Sequence, residues 1–542
     1  MDTIRHRWAT GAGRAAIVLL MLSVITLSAA AQAPRRGGTF VVGRQFDVPT
    51  LDPHRTTAIS VAGMSSLLFD TLLSIDYDLK TVHPGLAKQW EISADGLTYT
   101  FHLRDDVKFH SGRKLTAADV RYSFERILDP KTGSPHRFRL GEVSSIETPA
   151  ETAVVLKLKS RFPDLLVQLT SPFVAVVDRE AVEKHGPKFG SVGLGGTGPF
   201  VFQEWVLNDH IAFRRFGEYR WGPAFFQNRG APHVDEILFR IIPEYQTLVF
   251  ETERGGVHSF TGVRSADVER LRRARGVGVF EATPTQQIHY LGFKIPRPGV
   301  TEIAVRRAIA AALNRDALAK GVTHGLIPAA KGLFLPVVRD YWPGQEAIFP
   351  RHDAARARAL LDESGWKAGS DGIRGKDGRR LRLTLLGMLG TVEEHEESHP
   401  LIQAQLKEVG IDVEVRLLAV PAFFATLGKQ DYDMWTLATP YVSVFELLKF
   451  WLWSKNVPTP NRFMWTDART DELLATAQTA TTEAERARAL AEVQRIAAEQ
   501  LLVVPLWHEV LRMPVRAEVK GFRPHGIYAT GYYKLLDLWI ER

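Results

Sequence analysis

Two hydrophobic periodicities alternate along the chain, and they predict layers of strands and helices. Over residues 99–103, apolar side chains alternate with polar ones, which is the period-2 pattern of a half-buried strand. Val120, Phe124 and Ile127 then recur at helical spacing, behind a threonine at position 116 that is suited to capping a helix start. Strands that alternate with helices in this way favour a mixed α/β protein over an all-β one.

The second half of the chain repeats this alternation, and its helix ends are marked. Asp353 is placed to cap a helix that Gly365 ends, and Thr482 with Glu485 forms a capping box for a long helix. No internal repeat or low-complexity segment interrupts the pattern. The predicted helices cover 305–313, 354–364, 401–409 and 482–500, and the predicted strands cover 381–386 and 411–415.

The first 33 residues have the layout of a secretory signal peptide, predicted at 1–33. Arg5, Arg7 and Arg14 precede an apolar run at 15–27, and a small-x-small pattern ends at Ala33. The alternative, a membrane anchor, is disfavoured because the run is shorter than the roughly 20 residues that a bilayer span needs. Since no second apolar run of this kind follows, we expect a soluble mature protein, cleaved near Ala33.

Composition narrows the function further. The chain has no cysteine, which excludes disulfides, thiolate chemistry, cysteine-ligated zinc and a lipidated cysteine anchor. An exported protein without such an anchor is retained only where a second membrane encloses it, so we expect a Gram-negative periplasm. The formal net charge of +7 is small for 542 residues, and the arginine clusters at 270–275 and 379–382 are short. Nucleic-acid binding is therefore not expected.

Residues 83–130 carry the most specific signature of the chain. They read HPGLAKQWEISADGLTYTFHLRDDVKFHSGRKLTAADVRYSFERILDP and contain P-x-L-A-x-x-W, G-x-x-Y-x-F-x-L-R, V-K-F-H-x-G and T-A-x-D-V in register. With supporting segments in the same order, this block resembles the dipeptide- and oligopeptide-binding proteins, which are family 5 solute-binding proteins of ABC importers. The supporting segments are 196–200, 305–318, 357–366, 406–415 and 503–522.

The resemblance implies an α/β architecture, the type II periplasmic-binding-protein fold, with two lobes joined by two crossing strands. The first lobe would carry an inserted subdomain, whose core would include Trp90, Tyr99, Phe101 and Phe109. Such an architecture closes about a hinge around its ligand. The predicted boundaries are 34–70, 188–290 and 508–542 for lobe I, 71–187 for its inserted subdomain and 291–507 for lobe II, with crossings near 286–293 and 502–507.

The resemblance also implies a function in transport. The protein would be the periplasmic substrate-binding component of an ABC transporter, a monomer that captures a peptide or peptide-like small solute and delivers it to a permease in the inner membrane. It would hold no cofactor or metal, would have no catalytic residues, and would not be embedded in the membrane. Three alternatives stay open: a receptor for a non-peptide solute in the same fold, a chemosensory or chaperone-like receptor, and a secreted metal-dependent hydrolase.

In this fold the ligand lies between the lobes, against loops at strand ends and against the crossing segments. For each single residue in such a position, packing or loop polarity is the alternative interpretation to ligand contact. The predicted ligand-binding residues are Phe46, Asp47, Gly196, Thr197, His258, Phe260, Thr261, Gln286, Gln287, His289, Tyr290, Trp435, Thr439, Tyr441 and Val444.

One departure from the family pattern bears on the ligand. Many peptide-binding relatives carry a tyrosine–aspartate motif, which lies at 432–433 in this chain. Some residues after it, they have a further aspartate that can pair with the ammonium group of a peptide. Ser443 and Val444 stand in its place. Asp47 or Glu446 could substitute. Without such a substitute, a buried ammonium would cost several kcal/mol, so we predict weak binding of ordinary di- and tripeptides and better binding of blocked, modified or non-peptide solutes.

Two motifs suggest other chemistry. Residues 395–399 match HExxH, which on a helix places two histidines for zinc, and the hydrolase alternative would act through His395. Pro400 follows directly and disfavours helical geometry before it, so we interpret the segment as a polar helix entry. Residues 193–198 match the G-x-G-x-x-G dinucleotide fingerprint, but a strand is predicted after them. We therefore interpret these glycines as allowing close approach of the backbone to the cleft floor.

Overall fold

The computed structural model describes residues 33–282, 285–389 and 393–541. The predicted signal peptide lies outside these residues apart from its last position, Ala33. No helix within the described ranges is long and apolar enough to cross a membrane. The strands of these ranges form two large sheets, one antiparallel sheet of four strands and several small ones.

The largest sheet has seven strands and draws on both ends of the chain. Its central strand, Thr39–Arg44, pairs in parallel with Glu236–Ile241 and with Ser259–Phe260. The remaining neighbours pair antiparallel. In spatial order the strands are Val277–Ala282, Leu511–Arg516, Ser259–Phe260, Thr39–Arg44, Glu236–Ile241, His210–Arg215 and Phe200–Val206.

The second sheet has five strands, all from the later half of the chain. Arg382–Leu389 is parallel to both of its neighbours, whereas Gln287–Phe293 is antiparallel to both of its own. The boundaries predicted for the two lobes and the insertion stay a prediction. In spatial order the strands are Asp412–Ala419, Arg382–Leu389, Met434–Pro440, Gln287–Phe293 and Val503–His508.

The signature block forms much of the third sheet. The alternation at 99–103 is confirmed, because Tyr99, Phe101 and Leu103 are buried on one face of a strand. Asp119 and Thr116 form a capping box at the start of the next helix, as predicted. The four strands are, in spatial order, Ala87–Ile92, Thr98–Leu103, Ala153–Leu158 and Val143–Ala150, and the smaller sheets comprise Leu73–Ile75, Val82–Pro84, Lys367–Ala368, Arg374–Lys376, Arg379–Arg380, Val519–Lys520 and Trp539–Ile540.

The helices begin where their capping residues predict. The carboxylate of Asp353 accepts from the amide of Arg356 at 2.8 Å, and Thr482 accepts from the amide of Glu485 at 3.2 Å. The helices of eight or more residues in the described part of the chain are Ile59–Leu68, Ala117–Leu128, Tyr245–Arg254, Ile303–Ala312, Arg315–Val322, Ala354–Glu363, Glu393–Glu408, Val420–Lys429, Val444–Leu452, Ala468–Thr479 and Glu483–Glu499.

The interpretation of the HExxH segment as a polar helix entry was wrong. One helix, Glu393–Glu408, runs through the segment and contains Pro400. Its inner face is fully buried at His395, at the pair 398–399 and at Ile402, which recur at helical spacing. Packing of this face against the five-stranded sheet outweighs the local penalty of the proline, and the histidines belong to the interior rather than to the surface.

The glycine-rich segment precedes a strand, Phe200–Val206, as predicted. A Cβ atom at Gly196 would lie 2.1 Å from the carbonyl oxygen of Leu68, and one at Gly198 would lie 2.4 Å from that of Leu67. These distances are far inside van der Waals contact, so only glycine fits. The close approach that the glycines allow is therefore to the end of the helix Ile59–Leu68.

Candidate functional site

Two short segments carry the chain between the two large sheets, one between residues 282 and 287 and one between 508 and 511. Hydrogen bonds join the two segments to each other. Thr285 donates its hydroxyl hydrogen to the carbonyl of Glu509, and the amide of Glu509 donates to the carbonyl of Gln287 at 3.0 Å. Two adjacent connections between two bodies are a usual place for a hinge.

The buried histidines His289 and His395 and the half-buried Glu509 form a cluster beside these connections, which we name the hinge histidine cluster. His289 Nε2 lies 2.7 Å from Glu509 Oε2, and His289 Nδ1 lies 2.7 Å from His395 Nε2. Because a carboxylate only accepts hydrogen bonds, His289 Nε2 carries a hydrogen. The indole of Trp507 stacks on the His289 ring, with the centroids 5.0 Å apart.

The electrostatics of the cluster follow from its burial. Burial first, and then the neighbouring histidines at 289 and 399, lower the pKa of His395 well below its usual value, so this ring is neutral at pH 7. Burial alone would raise the pKa of Glu509, but the hydrogen bond from His289 and the charge of Arg512 lower it overall. His395 Nδ1 has no hydrogen-bond partner in the described ranges.

The HExxH segment does not assemble its two histidines around a shared point. His395 Nε2 is bonded to His289, and His399 is bonded at both ring nitrogens, to the carbonyl of His395 at 2.5 Å and to the hydroxyl of Thr436 at 2.9 Å. Among the residues that the structure describes, no three side chains of the metal-binding types are grouped to hold an ion. This geometry gives the hydrolase alternative no support.

The candidate ligand site is a cavity of about 250 Å³ where three parts of the chain meet, and we name it the cleft cavity. Thr57 and Tyr528 reach it from segments beside the seven-stranded sheet. Thr439, at the end of a strand of the five-stranded sheet, and Glu446 close the opposite wall, while the segment 135–139 covers a third side. A concave site between parts of the chain that a hinge joins is suited to enclosing a small ligand.

One ion pair dominates the electrostatics of the cleft cavity. Arg139 Nη1 lies 3.0 Å from Glu446 Oε1, and the two side chains are only 7% and 11% exposed. Arg139 also donates to Gln168 at 2.6 Å, and the second carboxylate oxygen of Glu446 accepts from the amide of Val442 at 2.7 Å. The glutamate is therefore neutralised by the arginine and has one further partner.

His136 extends this ion pair towards the other side of the cavity. Its Nδ1 accepts from Arg139 Nε at 3.3 Å, and its Nε2–H donates to the carbonyl of Thr56 at 2.7 Å. Burial, followed by the charge of Arg139, lowers the pKa of His136 to about 3. The neutral ring stacks on Phe173 with centroids 4.5 Å apart, so it can serve as a rigid wall of the cavity.

The positions considered for pairing a peptide ammonium already have partners. Ser443 caps the helix Val444–Leu452 by accepting from the amide of Glu446, and it donates to the carboxylate of Asp164. Asp47 accepts from Trp205 Nε1 at 3.0 Å and from a loop amide at 2.9 Å. Glu446 is therefore paired with a cation, and Asp47, whose partners are neutral N–H groups, does not line the cleft cavity.

Several predicted ligand-binding residues lie on or behind the five-stranded side of the cleft. Thr439 lines the cleft cavity and bonds the hydroxyl of Tyr290 at 3.4 Å. The amide of Tyr441 donates to the carbonyl of Gln286 at 2.8 Å. Trp435 and Val444 are fully buried in the core behind that wall, while His289 and the backbone of Gln287 belong to the hinge contacts described above.

The remaining predicted residues lie on the seven-stranded side and are spread out. Phe46 and Thr261 are exposed, and Phe260 packs in a local core against Tyr245. His258 Nδ1 accepts from the amide of Val41 at 2.9 Å. The neighbouring residues Gly196 and Thr197 are buried, and the latter bonds Asp70. The structure therefore does not bring these residues together with the cleft cavity.

Sequence reasoning missed the residues that define the cleft cavity most clearly. Arg139, His136 and Phe138 lie in a short segment just beyond the signature block, and Tyr528 and Phe450 complete the lining. A local signal existed, because a histidine, two arginines and a phenylalanine are packed into 136–139 between elements of ordinary composition. The partner of Arg139, however, is 307 positions away and has no local signature.

Comparison with known proteins agrees with this architecture. The family model described as bacterial extracellular solute-binding proteins, family 5 (middle region), matches residues 81–458. A putative ABC transporter peptide-binding protein of Brucella ovis is 30% identical over 376 residues, a match that covers 67% of this chain. The match spans 65% of the length of that relative.

Solved structures share the fold over nearly the whole chain. A periplasmic binding protein of Helicobacter pylori in complex with the peptide STSA has a TM-score of 0.79 at 24% identity, covering 94% of this chain and 99% of that one. The binding protein AgaA of A. tumefaciens R10 in complex with agropinic acid has a TM-score of 0.78 at 25% identity, covering 93% and 99%. The predicted type II periplasmic-binding-protein fold is confirmed, and the chain belongs to the bacterial extracellular solute-binding proteins of family 5.

Proposed function

We propose that the protein is the substrate-binding component of an ABC importer and works by hinge closure. The observation that carries this proposal is the cleft cavity, which lies where Thr439 at the end of a strand of the five-stranded sheet, the segment 135–139, and the residues Thr57 and Tyr528 meet. Membership of a solute-binding family supports it. In this proposal the bodies that move are lobe I with its inserted subdomain and lobe II, at the boundaries predicted from the sequence, and the captured solute passes to a permease of the inner membrane.

The solute that this cleft favours is a small peptide-like or non-peptide molecule without a free α-ammonium group. A buried ammonium needs an unshared carboxylate, and Glu446 is already paired with Arg139. Relatives differ in what they bind, since one solved structure holds a peptide and another holds agropinic acid. The walls offered by Thr439, Phe450 and Tyr528 supply apolar and hydroxyl surface rather than charge.

The ligand-contact set in this proposal keeps Thr439 from the sequence prediction and adds Arg139 and Tyr528, all of which line the cleft cavity. The protein acts in the periplasm after removal of the segment 1–33. It acts there as a binding protein, since family 5 comprises solute-binding proteins.

The experiment that tests the proposal has two readouts on protein purified from the periplasm of its own host. Native mass spectrometry should show one retained small molecule per chain, chemically unchanged on release. Small-angle scattering should show a smaller radius of gyration with that molecule than after its removal. A chain that retains nothing, or whose radius stays unchanged at demonstrated saturation, would contradict capture by hinge closure.

A further inference from the structure

A second and larger cavity lies directly behind the cleft cavity, and we name it the distal cavity. It encloses about 370 Å³ beside the helix Val444–Leu452. Pro135, Phe138, Glu446 and Phe450 line both cavities, so the two spaces adjoin along common walls. The two cavities are therefore immediate neighbours.

Four phenylalanines and two prolines give the distal cavity a mainly apolar wall. Phe162 and Phe445 are buried beneath it, Phe450 is half-buried, and Phe138 is 47% exposed. A large apolar side chain left partly exposed at the edge of a cavity loses water contact favourably when an apolar group covers it. The ring of Phe138 is held in place by the guanidinium of Arg139, which lies 4.8 Å from its centroid.

The polar groups around the distal cavity are bonded elsewhere. Gln168 accepts from Arg139, which also neutralises Glu446. Lys449 Nζ donates to Gln478 at 2.7 Å, and Asn456 donates to the carbonyl of Lys449 at 2.9 Å. A cationic group placed in this cavity would therefore be desolvated without finding an unshared counter-charge, because Glu446 is paired with Arg139, whereas an uncharged apolar group would lose nothing.

We propose that the distal cavity is a binding subsite for an uncharged aromatic or aliphatic group of the solute whose polar part occupies the cleft cavity. The proposal rests on the proposed function, because it assigns a second half to the ligand of the same site. The volume of the distal cavity lies within the range of about 300–1,000 Å³ that ligand pockets occupy. The imported solutes are then amphiphilic: a neutral polar head joined to an apolar tail.

The first test uses a neutral fluorescent aryl amine, phenylnaphthylamine, whose emission rises in apolar surroundings. We expect one probe to bind per wild-type chain and to bind at least tenfold more weakly to Phe138→Ala, because much of one aromatic wall is removed. Phe250→Ala is the matched control, since Phe250 is 53% exposed and also has an arginine, Arg254, over its ring at 5.6 Å. Equal weakening in both variants, or in neither, would overturn the subsite.

A second variant keeps the proposal testable if Phe138→Ala folds poorly. Thr459 is exposed at the edge of the distal cavity, so Thr459→Trp should fill the space and exclude the probe. Thr479→Trp, at an exposed helix position, should leave probe binding unchanged. If light scattering instead shows a dimer that Thr459→Trp abolishes, a second copy of the chain occupies the cavity and the proposal is refuted.

A comparison of two solutes distinguishes a failure of this inference from a failure of the proposed function. Calorimetry would compare N-acetyl-alanyl-alanine amide with its N-phenylbutanoyl counterpart. We expect the aryl compound to bind at least tenfold more tightly to the wild type and to lose that advantage in Thr459→Trp, because Thr459 lines the distal cavity and not the cleft cavity. Equal affinity of the two compounds, with hinge closure by both, refutes the distal subsite and leaves the proposed function standing. Site-specific probe binding by a chain that retains no periplasmic solute refutes the proposed function and leaves the cavity as an apolar binding site.

Discussion

Two buried ion pairs of this protein differ in what they join. Lys534 contacts Asp70 within the body built on the seven-stranded sheet, and that carboxylate also accepts from Trp221 Nε1 and Thr197 Oγ1 at 2.9 Å each. Arg139 and Glu446 instead join the segment before the cleft cavity to the helix behind the opposite wall. The first pair lies inside one packed unit, and the second lies where the chain can open.

This difference determines what each pair can do. A buried pair inside one core has no route to water, so loss of one partner leaves a charge that only unfolding can hydrate. A pair across a cleft can be hydrated by opening, so loss of one partner shifts a conformational equilibrium instead. The Asp70–Lys534 pair thus supports the fold, while in the proposed function the Arg139–Glu446 pair would control closure and the charge that a ligand meets.

The largest effect is expected at the first pair. Lys534→Met should lower the free energy of unfolding by about 3–5 kcal/mol, because the Asp70 carboxylate stays buried without its counter-charge. Urea unfolding followed by circular dichroism measures this. The matched control is Lys520→Met, whose lysine pairs with Glu541 at 3.0 Å while both side chains are more than a third exposed. That variant should lose less than about 1 kcal/mol. Similar losses of unfolding free energy in Lys534→Met and Lys520→Met would contradict the structural role assigned to the buried pair.

The next effect is acid sensitivity inside the same body. Burial lowers the pKa of His525 to about 4, where its Nδ1 accepts from the amide of Ile527 and its Nε2–H donates to the carbonyl of Ile75. The unfolded chain binds this proton near pH 6.5 and the folded chain does not, so the stabilisation is present above pH 6.5 and is lost as the pH falls towards 4.

The loss attributable to this residue is about 3 kcal/mol by pH 4. Urea unfolding at a series of pH values measures it, and His525→Gln should flatten the slope between pH 6.5 and 4 relative to the wild type. An unaltered slope in that variant would show that the acid sensitivity has another origin. His136, at the cleft, is a useful contrast. If the cleft opens, water can hydrate the protonated ring of His136 without unfolding of the chain.

A smaller effect on stability is expected at the second pair. Arg139→Met should change the free energy of unfolding by less than about 1 kcal/mol, because the cleft opens and water reaches Glu446. The same variant without ligand should have a larger radius of gyration than the wild type, measured by small-angle scattering. A loss of several kcal/mol at an unchanged radius would mean that this pair, like the first, is part of a closed core.

Much of the fold was predictable because its signals are local. The alternation at 99–103 and the caps at Thr116, Asp353 and Thr482 each lie within a few residues of the element that they define. The family signature also lies in one continuous block, 83–130. Its apolar residues, however, pack the core of a sheet, so the segment that identifies the family says little about the ligand.

The candidate site was predictable only in part because its decisive contacts join distant residues. Because histidine counts as polar, the sequence pattern predicts a surface position for His395, yet its ring is bonded to His289, 106 positions away. The counter-charge of Glu446 likewise comes from Arg139, in a segment without a recognised motif. The absence of the usual aspartate at 443–444 was visible in the sequence, but whether another carboxylate replaced it depended on the packing of a different part of the chain.

The most direct test of the account is calorimetry with a mixed panel of free di- and tripeptides and their N-acetylated counterparts, on the wild type and on Arg139→Met. The account predicts weak or no binding of the free peptides to the wild type, and a gain in their affinity of at least tenfold in Arg139→Met, where Glu446 is released to pair with the ammonium group. Submicromolar binding of free peptides to the wild type that is lost on acetylation would contradict it.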